Sequence, residues 1–227
     1  VNNMNLGKDF QLFAKDKMGV SDTQLNTYGE IQNKVYDSMT PYILEEREMR
    51  VTQMDIFSRL MRERILWVSG PVNQYMSDVV KAQLLYLESV SEEDITMYID
   101  SPGGSVINGL SMINTMSLCK PDIKTVNNGM CASMGSLLLG AGEKGKRFML
   151  PDAMVMLHQV SSGMEGNVQD LRISLRLSEK FNDRLFNLLG GFCGKDPKEV
   201  MKDSTRDLWL DAKEALEYGI IDEIIGA

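Results

Sequence analysis

Twice in succession the chain reads strand, Gly-rich turn, helix, and that repetition limits what it can fold into. Ile95 to Ile99 is an apolar run, Asp100-Ser101-Pro102-Gly103-Gly104 a turn, and Ser105 to Leu118 a helical pattern. Ile123 to Val126 is a second apolar run. It is followed by Asn127-Asn128-Gly129-Met130-Cys131-Ala132-Ser133-Met134-Gly135-Ser136 and an apolar helical run from Leu137 to Ala141. Strands and helices alternating through short turns call for parallel βαβ crossovers. In such sheets sites gather at the carboxyl ends of the strands, where both Gly-rich turns lie, so Gly104 and Ser133 are predicted neighbours. Ser133 stands where a strand hands over to a helix, among small residues (Gly129, Cys131, Ala132, Gly135) that let another backbone come close. The first N–H groups of the helix are unpaired and, with the helix dipole, can hold a developing anion. A nucleophile is commonly presented this way, and a serine at a helix start also suits simple capping.

The same alternation extends in both directions. Asp55 to Arg64 has apolar residues at helical spacing (Ile56, Leu60, Met61), and Ile65-Leu66-Trp67-Val68 reads as a buried strand closed by Ser69-Gly70-Pro71. Gln74 to Ser89 is a predicted helix burying Val79, Val80, Leu84, Leu85 and Leu87. Ala153 to His158 is a further strand, which brings His158 to the same edge as Ser133. A loop then leads into a long helix from Val168 to Leu189, with charges spread around it, suited to projecting and packing on partner subunits. A helix from Pro197 to Met201, the segment Leu208-Trp209-Leu210, a helix from Asp211 to Tyr218 ended by Gly219, and a last strand from Ile220 to Ile225 complete the chain.

Composition narrows the function. With 227 residues, 43% of them hydrophobic, the chain suits one globular domain with an appendage. Residues 1–37 are polar and read as an extension outside the core. The net charge of −8, without any long basic stretch, argues against a nucleic-acid partner. No apolar run approaches the roughly 18 residues of a membrane span, and no basic start with an apolar core opens the sequence, so the expected location is cytoplasmic. Cys119, Cys131 and Cys193 form no C-x-x-C pair and read as small buried hydrophobes, and the 17 methionines as adaptable packing. His158 is the single histidine, so any Ser–His chemistry must use it, and a His-based metal site is not expected.

Nucleophilic acyl transfer needs a hydroxyl, a base, an acid that orients the base, and N–H donors for the oxyanion. Ser133, His158 and the two Gly-rich turns answer three of these needs. For the acid, Asp152, Asp170, Asp203, Asp207 and Asp211 are all available, and spacing does not choose among them.

Several runs resemble one family closely: Tyr98-Ile99-Asp100-Ser101-Pro102-Gly103-Gly104, Gly129 to Gly135, Gly145-Lys146-Arg147-Phe148-Met149-Leu150-Pro151, Met156-Leu157-His158-Gln159, Asp55 to Leu60 and Ala215 to Asp222. From about residue 39 onward the chain is similar to the proteolytic subunits of the Clp protease, the ClpP family. The resemblance implies a ClpP/crotonase-like α/β spiral of parallel βαβ units with a projecting handle. Residues 1–37 would be an N-terminal extension and removable pro-segment, 38–53 an axial loop or hairpin, and 54–227 the head, with the handle at about 159–192. It implies a serine endopeptidase with Ser133 as nucleophile, His158 as base and Asp207 as acid, and the backbone N–H groups of Gly104 and Met134 as the oxyanion hole. Ser161, Ser162 and Gly163 would pair with an extended substrate by strand addition. Arg206 would act between rings, and Leu85, Tyr86, Tyr98 and Leu118 would form a pocket for an unfoldase. Members form two stacked seven-membered rings, fed unfolded polypeptides by an AAA+ unfoldase of the ClpX, ClpA or ClpC type. The subunit itself needs no cofactor or metal, ATP being used by the partner; no ATP-binding signature occurs in this sequence.

The sequence departs from the family pattern at four positions. Asp100 stands for a usual Asn, Val160 for a common Pro, Thr205 for a residue often acidic beside Arg206, and Thr96 for an aromatic of the docking pocket. Asp203 and Asp170 are then the substitute partners for Arg206. Two other readings use the same residues: a crotonase-type acyl-CoA enzyme, in which Ser133 and His158 are bystanders, and a non-catalytic ClpP-like ring subunit, which would have lost a member of the triad.

Overall fold

A computed structural model of the chain describes residues 21, 42–47, 50–161, 163 and 166–226. The extension expected over 1–37 lies outside these apart from residue 21, as does Ser162. The described residues fall into two compact units that divide between Glu63 and Arg64.

In the first unit, β1 (Tyr42–Arg47) and β2 (Arg50–Asp55) form an antiparallel hairpin with Tyr42 opposite Asp55. Helix α1 (Ile56–Arg62) follows directly, its first turn capped by the Asp55 carboxylate, which accepts from Ser58 N at 2.9 Å. None of its residues is fully buried.

The second unit is built on a sheet of seven strands. β3 (Ile65–Ser69), β4 (Ile95–Ser101), β5 (Ile123–Ala132), β6 (Arg147–Met149) and β9 (Glu223–Ile224) lie side by side in that order, all parallel. β7 (Met154–Leu157) runs parallel to the carboxyl half of β5, and β8 (Leu208–Leu210) pairs antiparallel with β7. The crossovers are α2 (Gln74–Val90), α3 (Val106–Leu118) and α4 (Met134–Gly140). Two of the three start on a side-chain cap, Asn73 for α2 and Ser105 for α3. Alternation along β4 sends Ile95, Met97, Ile99 and Ser101 into the core. Leu66, Val68, Leu84, Leu138, Leu139 and Val155 meet them there.

The long helix α5 (Val168–Cys193) ends on Gly194 in the left-handed region, and α6 (Pro197–Asp203) and α7 (Ala212–Tyr218) follow. Arg147 on β6 ties both the segment before β9 and the end of α5 to the sheet. Arg147 donates from Nε (2.8 Å) and Nη2 (2.5 Å) to the Asp222 carboxylate, and from Nη1 to the Phe192 carbonyl at 2.7 Å. Burial pushes the Asp222 carboxyl up. The Arg147 guanidinium, with the N–H groups of Arg147 and Gly145, outweighs that effect and holds it below the usual carboxylate range.

Three sequence expectations change. On α2 the buried stripe is Ser77, Val80, Leu84 and Leu87. Val79 and Leu85 fall off that stripe at 3.6 residues per turn and are exposed. β5 does not stop at Val126. Past Asn127 it bulges, because Ile99 pairs with Asn127 but Ser101 with Cys131, and Met130 to Ala132 then gain a new neighbour in β7. The expected turn is therefore largely strand, held by a pairing that no local pattern reveals. β6 was not expected as a strand, and β9 is shorter than the run from Ile220 to Ile225. No helix among the described residues is long and apolar enough to cross a membrane.

Candidate active site

Strand register brings the chemistry together. Ala132 pairs with Met156, and the next residue, Ser133, donates its backbone N–H to the Met156 carbonyl at 2.9 Å. β5 thus delivers Ser133 beside the end of β7, one step past which His158 begins the following loop. Between β7 and β8 the pairs are Val155 with Leu210, Met156 with Trp209 and Leu157 with Leu208. Continued by one step, that register sets His158 opposite Asp207.

Side-chain geometry follows the register. His158 Nε2 lies 2.8 Å from Ser133 Oγ, and His158 Nδ1 3.5 Å from Asp207 Oδ1. Ser133 has φ 54° and ψ −120°, a strained backbone for a residue with a side chain. Its hydroxyl does not cap α4, so capping does not explain the serine. The helix instead turns Ser136 back, whose Oγ donates to the Ser133 carbonyl at 2.6 Å. Cys131, two residues earlier, is no competing nucleophile: burial pushes its thiol well above the ordinary value, and Asp100 adds to the rise.

The turn after β4 is pressed against this strand end. A Cβ added to Gly103 would sit 2.6 Å from Ser133 Cβ and 2.8 Å from Met134 N, and one added to Gly135 2.7 Å from the Ser101 carbonyl oxygen. The turn is pinned from the other side. Ser101 Oγ donates to the Gly70 carbonyl at 2.7 Å, Val72 N to the Gly103 carbonyl at 2.8 Å and Ser105 N to the Val72 carbonyl at 2.8 Å. The N–H groups of Gly104 and Met134 have no backbone acceptor among the described residues. Both residues line a cleft with Ser133 and His158, and Val106, Leu137, Leu185, Phe186 and Leu189 give it apolar walls. The arrangement supplies a hydroxyl on a base, two N–H donors beside it and an apolar recess, which are the parts acyl transfer needs.

Of the five candidate acids, Asp207 is the one paired with His158. Asp211 caps α7, accepting from Lys213 N and Glu214 N. Asp203 accepts from Tyr218 Oη at 3.1 Å and Asp170 from Asn167 Nδ2 at 2.5 Å. Neither reaches Arg206, which is exposed and has no ion pair among the described residues. The Asp207 side chain is 61% exposed, that of His158 26%.

Ser161 lines the cleft, and Gly163 has open space around its Cα. Leu85, Tyr86 and Leu118 are exposed, while Tyr98 is half-buried and stacks on Trp67 with ring centroids 5.5 Å apart. Sequence reading put Trp67 in the core. It is 45% exposed, because the alternation that buries Leu66 and Val68 turns the residue between them outward, opposite Tyr98 on β4. Asn182 also went unnoticed: it lines the cleft and accepts from Val160 N at 3.1 Å. Its signal was a polar residue on the stripe of Leu185, Phe186 and Leu189. No group of three or more metal-ligating side chains occurs among the described residues.

Residues 46–227 match the Clp protease family. The chain is 43% identical over 218 residues to the ATP-dependent Clp protease proteolytic subunit of Porphyromonas gingivalis strain W83, covering 96% of this chain and 97% of that protein. It is 42% identical over 218 residues to the protein of that name from Bacteroides fragilis strain YCH46, and 41% identical over 218 residues to that of Bacteroides thetaiotaomicron, covering 96% of this chain and 98% of each relative. Matches of this extent reach back into residues 1–37, further than the sequence motifs suggested.

Proposed function

Because the chain belongs to the Clp protease family, we propose that it is the proteolytic subunit of an ATP-dependent Clp protease, a serine endopeptidase whose nucleophile is Ser133. His158 Nε2 takes the Ser133 proton as Oγ attacks the scissile carbonyl. The N–H groups of Gly104 and Met134 receive the oxyanion; a donor of this kind contributes about a hundredfold or more. His158, now protonated, gives the proton to the leaving amine, and water then hydrolyses the acyl-enzyme by the same steps in reverse order of roles. Asp207 holds His158 in the tautomer that leaves Nε2 free to accept.

The apolar cleft receives a substrate side chain, and the backbone of Ser161 to Gly163 pairs with an extended chain. Subunits assemble as two stacked seven-membered rings, Arg206 acting between them. An AAA+ unfoldase docks near Leu85, Tyr86, Tyr98 and Leu118 and spends the ATP, so this subunit needs no cofactor, and it works in the cytoplasm. The observation that carries the reading is the 2.8 Å approach of His158 Nε2 to the Oγ of a serine with strained backbone. A crotonase-type reading gives that pair no task, and the relatives' names do not favour it.

Reaction with a fluorophosphonate followed by peptide mapping tests the proposal. Labelling is expected at Ser133 and to vanish in Ser133→Ala, together with hydrolysis of fluorogenic peptides, by several orders of magnitude. Label on another serine, or a Ser133→Ala protein within about tenfold of the parent, would overturn it.

A further inference from the structure

The buried stripe of helix α3 is Gly109, Met112, Ile113 and Met116, so its first position carries no side chain. Glycine weakens a helix interior, and one placed on the core face needs a reason. Met134 supplies it. A Cβ added to Gly109 would lie 2.2 Å from Met134 Cγ, 2.5 Å from Sδ and 2.8 Å from Cε, so the methionine side chain occupies the space that a residue at 109 would fill. Cγ is the atom that matters. It stands two bonds from the Met134 Cα, and rotation about the outer side-chain bonds leaves it where it is. Met134 is only 2% exposed, so a methyl group at 109 is cleared by turning χ1 within a packed interior or by moving the Met134 backbone.

The same turn of α3 is fixed to the other proposed oxyanion donor. Gly104 is followed directly by Ser105, the cap of α3, and the Gly109 N–H donates to the Ser105 carbonyl at 3.0 Å. From α2, the buried Ser77 Oγ donates to the Asn108 carbonyl at 3.1 Å and holds this turn in place. On the opposite side a Cβ added to Gly103 would lie 2.8 Å from Met134 N. Met134 is therefore held between the turn that ends in Gly104 and the helix that follows it.

We propose that Gly109 is a positioning residue for the oxyanion hole: by seating the Met134 side chain on the first turn of α3, it sets where the Met134 N–H stands relative to that of Gly104. The inference rests on the peptidase reading above and adds to it what fixes the spacing of the two donors. Its consequence is confined to the transition state. A donor moved from its place weakens the hold on the oxyanion and leaves the binding of uncleaved peptide as it was.

The test uses the full chain, a fluorogenic dipeptide, and a peptide aldehyde with the same residue at its reactive end. Ser133 Oγ bonds the aldehyde carbon, the hydroxyl proton passes to His158, and the carbonyl electron pair moves onto the oxygen, which becomes an oxyanion. Gly109→Ala is expected to lower kcat about tenfold with KM within about twofold, and to weaken aldehyde inhibition about tenfold, less than outright loss of a donor costs. Met134→Ala keeps the N–H and removes the side chain that the methyl group meets. In that background Gly109→Ala is expected to change kcat and aldehyde inhibition by less than about twofold, and any effect of Met134→Ala on the cleft is common to both arms. A Gly109→Ala kcat within about twofold of the parent, a loss carried by KM, unchanged aldehyde inhibition, or an equal loss in both backgrounds would overturn the proposal. Should Gly109→Ala alone fail to fold, the double variant decides. It must fold and match Met134→Ala in both readings, and failure in either respect overturns the proposal. A parent that does not hydrolyse the peptide and takes no fluorophosphonate at Ser133 overturns the peptidase reading and this inference with it, whereas an active parent with uncoupled variants overturns the inference alone.

Discussion

Ser133 and Asp207 stand at the same edge of one sheet, but the chain secures them by different means. Around Ser133 the constraints are steric and come from the core: Ala132 and Met134 on either side are buried, the Gly103 backbone leaves no room for a methyl group, and the Ser133 N–H is bonded to β7. Asp207 sits between the end of α6 and β8, with Leu208 after it paired to Leu157 of β7 and the segment before it tied locally. Ser204 Oγ donates to the Val200 carbonyl, Thr205 Oγ1 to the Lys202 carbonyl at 2.8 Å, and Asp203 accepts from Tyr218, while the Asp207 carboxylate itself is 61% exposed and 3.5 Å from its imidazole. A carboxylate secured by this core looks different: Asp222 has the Arg147 guanidinium at 2.5 and 2.8 Å and two backbone donors. The contrast teaches that the proposed nucleophile and the proposed oxyanion donors are parts of the folded core. The proposed acid, Asp207, rides on a surface segment whose final position is open to whatever Arg206, the preceding residue, comes to touch.

The largest effect is expected where the core is tightest. Gly103→Ala must place a Cβ 2.6 Å from Ser133 Cβ at φ +90°, so either the turn or the serine moves, and Met134 N moves with it. Peptidase kcat is expected to fall by at least about a hundredfold, as for loss of an oxyanion donor, with circular dichroism unchanged. Retention of activity within about tenfold would mean that this packing does not set the site. Asp207→Asn comes next. A buried orienting acid is worth about ten-thousandfold in such triads; for this exposed one about a hundredfold is expected, read as kcat against pH, and a full-sized loss would break the comparison. Arg206→Ala is expected to be milder, about tenfold at enzyme concentrations that favour assembly, because it acts on Asp207 through position alone. Sedimentation and peptidase assay on one sample check this: activity should follow the fraction in double rings. Double rings with full activity would disconnect the acid from the ring contact.

Legibility in the sequence followed the same division. The strand–turn–helix repeats, the parallel sheet and the meeting of Ser133 with His158 at one edge were readable, because each rests on local periodicity and on where strands end. The acid was not. Asp207 differs from Asp203 and Asp211 only through the antiparallel pairing of β8 with β7, a contact between segments some fifty residues apart, and resemblance rather than spacing chose it. The second half of β5 was hidden for the same reason, since Met130 to Ala132 are strand only by virtue of β7. Val79 and Leu85 were misjudged because an apolar residue beside a buried stripe reads like one on it. Asn182 was visible as a polar residue in an apolar stripe, but its partner, the Val160 N–H, was not.

The smallest effect expected is at Asp100, which stands where the family usually has Asn. The structure gives its carboxylate a backbone task. Oδ1 accepts from Met130 N at 3.0 Å across the β5 bulge, and Asn127 supports the same bulge by accepting from Gly129 N at 3.2 Å and donating to the Met154 carbonyl at 2.9 Å. An amide oxygen accepts from an N–H as a carboxylate oxygen does. Gly129 must stay small, because a Cβ there would meet Asp100 Oδ1 at 2.8 Å, and an Asn side chain has the same shape. Asp100→Asn is therefore expected to leave kcat/KM within about twofold of the parent. Asp100→Ala removes the acceptor and is expected to cost about 1 kcal/mol in urea unfolding, since the Met130 N–H then competes only for water. With the bulge feeding directly into Ala132 and Ser133, a kcat loss of about threefold should accompany it. If Asp100→Asn lost more than about tenfold while Asp100→Ala lost no more, the charge and not the acceptor would be what the site uses, and Asp100 would belong with Asp207 among the groups that act on His158 from outside the core.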